Sequence, residues 1–223
     1  MHTEYSIRGR PVLGLIALLS GFGVLLELWL SIGMALGTGR SVVGVLVNFL
    51  GYFTVLTNIF VAFSSALMLT SGDTRLGRWL GSGMVLGCTT TAALLVGVAY
   101  HYLLRAILAP VGWQWIADVT LHYAVPTVVL GYWIAYPPKE KLPPWAPLVW
   151  GIYPVSYFVY VLVRGRLLAS YPYHFFDVTR LGYAKTLLDA AGLLVAFLVL
   201  GGAVYGVARF RRALDDVRTQ ACR

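Results

Sequence analysis

Six long apolar runs restrict the folds open to this chain. They cover approximately residues 12–36, 42–70, 80–104, 115–136, 145–163 and 184–208. As a helix rising 1.5 Å per residue, each can cross a hydrocarbon core about 30 Å thick. The runs are continuous rather than alternating. They therefore predict helices, which satisfy their backbone hydrogen bonds internally where no water is available. The expected fold class is all-α: a polytopic integral membrane protein with six transmembrane helices in one bundle, forming a single membrane domain over 1–223. Only 12% of the 223 residues are charged, about half the fraction usual in soluble domains. Six spans use most of the length, which leaves no room for a separate soluble domain.

The breaks between runs are short. Gly37–Arg40 separates the first two, and SGDTRLGR (71–78) the next two. Pro110 and Gly112 precede the fourth run, and PPKEKLPP (137–144) forms a stiff linker after it. The longest loop is 164–183. Arg8 and Arg10 precede the first run as in a signal peptide, but that run is too long for a cleaved signal and reads as a retained span. Cys88 lies inside a run and Cys222 in the C-terminal tail. No disulfide, metal site or cofactor is expected from them.

An even number of spans puts both termini on one side. That side holds Arg8, Arg10, Arg75, Arg78, Lys139, Lys141, Arg209, Arg211, Arg212, Arg218 and Arg223. The other holds Arg40, Arg105, Arg164, Arg166, Arg180 and Lys185. Eleven against six predicts cytoplasmic termini. The net charge of +8 then concerns orientation and anionic headgroups, not nucleic acid.

Polar residues inside the runs are the candidates for chemistry, because they are costly in lipid and face the bundle interior. YFTVLTNIF (52–60) places Thr54, Thr57 and Asn58 together in the second run. Thr54 and Asn58 are four apart and share a helix face, with Thr57 close to it. In the fourth run Asp118 and His122 are also four apart. A carboxylate there fixes the imidazole tautomer and leaves the other ring nitrogen as a base. A threonine hydroxyl is a weak nucleophile that needs such a base. If the second and fourth runs meet, His122 can activate Thr54, and Asn58 or Thr57 can donate to an oxyanion. The competing reading is that these hydroxyls bond their own helix or a neighbouring one. His101, between Tyr100 and Tyr102, reads as an interfacial structural residue. Glu27 and Asp189 read as site members or as counter-ions of Lys185 or Arg164. The aromatic and basic loop 164–183 reads as a membrane-surface segment, or as a lid offering Arg164 and Arg166 to an anionic group. Within that loop Asp177 is a candidate partner for an arginine.

Several of these stretches resemble the androgen-induced protein family. They are Phe53-Thr54 with Thr57-Asn58, Leu121-His122 with Val125-Pro126, and Trp150…Tyr153-Pro154…Tyr157…Tyr160…Arg164-Gly165. Tyr171-Pro172-Tyr173 with Phe176-Asp177 completes the set. The likeness covers roughly spans two to six and is greatest to the bacterial branch, which implies a bacterial inner membrane. Animal members are six-span intramembrane threonine hydrolases of fatty acid esters of hydroxy fatty acids. By motif, the resemblance places the nucleophile on Thr54 and the histidine on His122. Asp118 matches a polar residue one turn before that histidine. The chain departs from the animal pattern at Thr57, where those proteins carry an Asp. One residue is also skipped between the histidine and the proline.

The expected function is an intramembrane lipid ester hydrolase acting on a membrane lipid or long-chain acyl ester. Thr54, His122 and Asp118 are its catalytic residues; Asn58, Thr57, Arg164 and Arg166 contact substrate. Acyl transfer would use the same groups. The rival is a non-enzymatic transporter, lipid-binding or scaffold protein with a polar intramembrane pocket. A Thr54–His122 separation within about 4 Å favours the enzyme; beyond about 8 Å no single water bridges the gap.

Overall fold

The computed structural model describes residues 9–221, with side chains described as far as Leu214. Arg8, Cys222 and Arg223, named above, lie outside the described residues, as does the side chain of Arg218. Among the described residues every regular element is helical.

The first helix, α1, runs Arg10–Gly37 and opens on Pro11, whose missing N–H is harmless in a first turn. The second apolar run is not one helix. It divides into α2, Val42–Phe49, and α3, Phe53–Ser71. Between them Tyr52 takes an extended conformation, φ −83° and ψ 130°. The expected single span over 42–70 is thereby corrected. With 19 residues, α3 is about 28 Å long and alone approaches the hydrocarbon thickness.

The break is held from a distance. Carbonyls at the end of α2 lose their helical donors, and side chains of a later helix replace them. Tyr157 donates to Gly51 O at 2.8 Å and Tyr160 to Leu50 O at 3.2 Å. Arg164 donates to Val47 O at 3.3 Å and Asn48 Oδ1 at 3.1 Å. Gly51 permits this approach, since a Cβ there would lie 3.1 Å from the Arg164 guanidinium.

Short α4, Arg75–Leu80, and α5, Gly83–Ala99, start on the capping hydroxyls of Thr74 and Ser82. From α5 the chain continues into a π-helical turn, Tyr100–Leu104. Next come α6, Trp113–Val119, a second π-helical turn, Thr120–Ala124, and α7, Val125–Ala135, in unbroken succession. After the proline linker, α8 spans Ala146–Trp150 and α9 Ile152–Leu168. A 3₁₀ turn, His174–Phe176, leads to α10, Val178–Ala221, which is interrupted at Gly182.

Among the described residues five stretches are long and apolar enough to cross a membrane: Arg10–Gly37, Phe53–Ser71, Gly83–Leu104, Ala146–Leu168 and Val178–Leu214. The helical segment 113–135 has the length but carries Gln114, Asp118, Thr120 and His122 in its first half. One part of the core joins Leu13, Val61, Ala93 and Val129 of α1, α3, α5 and α7. Another joins Leu95, Trp133, Trp150, Val161 and Phe197 of α5, α7, α8, α9 and α10. Large apolar side chains also cover the outside, Leu18, Leu25, Leu148 and Leu188 among them. So broad an apolar exterior is suited to lipid rather than water.

Candidate active site

The extended Tyr52 starts a new helix, and Thr54 is the second residue of α3. Its Oγ1 lies 3.3 Å from His122 Nε2. His122 Nδ1 lies 2.9 Å from the Asp118 carbonyl oxygen and 3.2 Å from Asp118 Oδ1. The tautomer follows from these partners. A carbonyl oxygen can only accept, so Nδ1 carries the proton. Nε2 is then the acceptor, facing the Thr54 hydroxyl. Thr54 and Asp118 are buried and His122 is half-buried.

Local irregularity sets the imidazole there. Pro126 has no N–H for the His122 carbonyl, and the ladder widens, with Val125 N bonding Thr120 O. Gly97 of α5 packs beside this opening; a Cβ on it would stand 2.8 Å from the His122 carbonyl oxygen. The other π-helical turn supplies Tyr100, whose ring stacks on His122 at 4.1 Å between centroids and 20° between planes. Both rings therefore sit on widened turns that face each other.

From the loop after α9, Tyr173 lines the same cavity as Thr54. Burial pushes its phenol up to about 12, with the nearby polar groups of Thr54 acting in the opposite direction. The phenol consequently remains protonated on the cavity wall that it shares with Thr54. Tyr52 packs edge-on against it at 5.4 Å.

The other residues singled out in the sequence lie as follows. Thr57 Oγ1 pairs with the Tyr153 hydroxyl at 3.0 Å. Asn58 Nδ2 donates to the Thr54 carbonyl at 2.9 Å, and its Oδ1 is buried without a partner among the described residues. Neither side chain lines the cavity at Thr54. Arg164, only 6% exposed, is held by Val47, Asn48 and the Ser170 carbonyl, and Arg166 points outward, exposed. Glu27 is paired with neither Lys185 nor Arg164; its carboxylate accepts from Gln114 Nε2 at 2.6 Å. Lys185 bonds Asp189. Asp177 accepts from Thr179 rather than from an arginine, and His101 meets the Tyr123 hydroxyl at 3.1 Å.

A cavity of about 470 Å³ lies over the pair, with Thr54, Asp118, His122, Glu27, Gln114 and Arg40 on its walls. Pro172, Tyr173 and His174 cover part of it. Sequence reasoning missed Tyr100, Tyr173, Gln114 and Arg40 as neighbours of the pair. Tyr100 is separated from His122 by a whole loop, and Tyr173 lies in a stretch that reads simply as interfacial aromatics. Among the described residues no group of three or more His, Cys, Asp or Glu side chains could hold a metal ion.

Together these groups form a hydroxyl, a base of fixed tautomer and a carboxylate behind it, with a protonated phenol on the wall of the same cavity. No protein-family model, curated protein or solved structure matches this chain.

Proposed function

We propose that this chain is a six-span intramembrane ester hydrolase with Thr54 as nucleophile. The observation that carries the reading is the 3.3 Å approach of Thr54 Oγ1 to His122 Nε2, with Nδ1 held by Asp118. It falls inside the roughly 4 Å within which a base serves a hydroxyl nucleophile. The family resemblance carried by Phe53-Thr54 and Leu121-His122 points the same way.

In the first step His122 Nε2 takes the Thr54 proton while Oγ1 bonds to the ester carbonyl carbon. The negative charge passes to the carbonyl oxygen, for which the Tyr173 phenol on the wall of the same cavity serves as donor. This assigns to Tyr173 the part expected of Thr57 or Asn58, whose hydroxyl and amide nitrogen are bonded elsewhere. The intermediate collapses, the C–O bond to the alcohol breaks, and His122 returns its proton to the leaving oxygen. Water then gives a proton to His122 and attacks the acyl-threonine. Carboxylic acid leaves, and Thr54 recovers its proton.

Fatty acid esters of hydroxy fatty acids are the substrates the resemblance implies. Their free carboxylate would meet Arg40 on the cavity wall rather than Arg164, whose guanidinium is occupied. Segment 113–135 is the fourth of the six spans, its polar side turned to α1 and α3. The excess of basic residues then places the termini in the cytoplasm and the site near the opposite face, in a bacterial inner membrane.

A fluorophosphonate probe tests the assignment on the purified protein. It should label the wild-type chain and leave Thr54→Ala unlabelled, with both retaining the same helical circular dichroism. Equal labelling of the two would overturn the hydrolase reading and favour a lipid-binding or transport protein.

A further inference from the structure

A second cavity touches Thr54 from the other side. It encloses about 240 Å³ between α5, α9 and α10 and is lined almost wholly by apolar groups such as Leu95, Val96, Phe158, Ala190 and Leu194. Thr54, Leu104 and Tyr173 line this cavity and the polar one alike. They form the partition between the two, and the hydroxyl proposed as nucleophile belongs to it.

An ester is itself divided at its carbonyl carbon, with the acyl chain on one side and the alcohol on the other. A nucleophile standing in a partition between an apolar and a polar chamber matches that division. The apolar chamber also reaches the exterior between α9 and α10, where the lining residues Val155 and Leu187 are 44% and 52% exposed. That mouth lies in the apolar belt of the bundle, on the path an acyl chain would take from lipid.

We propose that the apolar chamber binds the acyl chain of the substrate and sets its permitted length, while the alcohol half occupies the chamber lined by Glu27, Gln114 and Arg40. The assignment rests on the hydrolase reading for its catalytic consequence. Its binding consequence is independent of that reading. Burying methylenes in an apolar slot gives modest discrimination per group, and that discrimination accumulates along a chain.

The test uses the full chain in detergent micelles and p-nitrophenyl esters from acetyl to palmitoyl. Ala190→Phe fills the chamber, and Ala191→Phe narrows its mouth. In either variant kcat/KM for palmitoyl relative to acetyl esters should fall about ten-fold or more. Val199→Phe, on the outward face of α10 at 68% exposure, should leave the ratio unchanged. A ratio unmoved in both Ala190→Phe and Ala191→Phe, with hydrolysis persisting, would overturn the inference. A second arm needs no hydrolysis: displacement of a fluorescent long-chain fatty acid from Thr54→Ala and from Thr54→Ala combined with Ala190→Phe. Binding weakened about ten-fold or more by the added phenylalanine supports the chamber even if no ester is cleaved; equal binding overturns it. Hydrolysis retained by Thr54→Ala would instead defeat the nucleophile assignment and leave the chamber standing.

Discussion

His122 is held by two different acceptors on one residue, and that decides what each substitution should do. The Asp118 carboxylate and the Asp118 backbone carbonyl both take the Nδ1 proton. Asp118→Ala removes only the first, so the tautomer persists on the carbonyl and the loss is partial. Ester hydrolysis should drop by about 10- to 100-fold in Asp118→Ala, below the roughly 10²–10⁴-fold worth of a general base. His122→Ala should lose that full amount. Equal kcat/KM losses in the two variants would show the carboxylate to be indispensable. Tyr173→Phe removes the phenolic donor but keeps the ring against Tyr52. It should lower kcat by about 10²-fold or more with little change in KM, as for a group that acts only on developing charge. Because burial raises the phenol to about 12, no loss of this donor by ionisation should appear in the pH–rate profile between neutrality and about pH 11. The pairing of Asp118 with His122 was legible in the sequence, since i,i+4 spacing alone brings two groups onto one face. The turning of the Thr57 and Asn58 side chains away from the cavity at Thr54 was not. Their directions depend on Tyr153 and on the Thr54 carbonyl, a neighbour helix and a backbone atom that spacing cannot report.

At the scale of elements, the instructive feature is the division of one apolar run into α2 and α3. Leu50, Gly51 and Tyr52 interrupt no hydropathy pattern, so nothing local marks the break. What makes it tolerable in an apolar setting is a set of donors from α9, since an unpaired backbone carbonyl is costly there. Arg164 is central: it joins the end of α2 to the Ser170 carbonyl, near the loop that carries Tyr173. Arg164→Ala leaves two backbone carbonyls and the Asn48 amide oxygen without this partner. It should destabilise the fold by about 1–3 kcal/mol for each acceptor left unpaired in a buried place, read as a fall in the thermal midpoint in detergent. Arg164→Lys should restore only part of the midpoint, because an ammonium lacks the planar fork that reaches three acceptors at once. A full recovery with lysine would reduce the residue to a simple charge. The π-helical turns carry the same lesson in milder form. Pro126 is visible in the sequence as a missing donor, but the widening that turns His122 toward Thr54 also needs Gly97 on α5 to leave room for the freed carbonyl.

At the scale of the whole molecule, helical class followed directly from run length, because lipid permits few other ways to satisfy a backbone. The number of crossings is a separate matter, and it turns on segment 113–135. Among the described residues five helices have the length and apolarity to cross. This one is less apolar because it carries Gln114, Asp118 and His122, the residues that give the cavity its chemistry. A site segment inside a bundle is expected to fail a hydropathy criterion for that reason: its polar side is turned to protein, and only its outer side meets lipid. Crossing can be read from the two loops that flank it. In a chain with Cys88→Ser and Cys222→Ser, single cysteines replace Arg105 or Lys139, at either end of the segment. If the segment crosses, a membrane-impermeant maleimide applied to intact spheroplasts should label the cysteine at 105 and not that at 139. Inverted vesicles should reverse the pattern. Labelling of both from one side would make 113–135 a re-entrant segment, place the chain termini on opposite faces, and require the orientation drawn from the basic residues to be rebuilt.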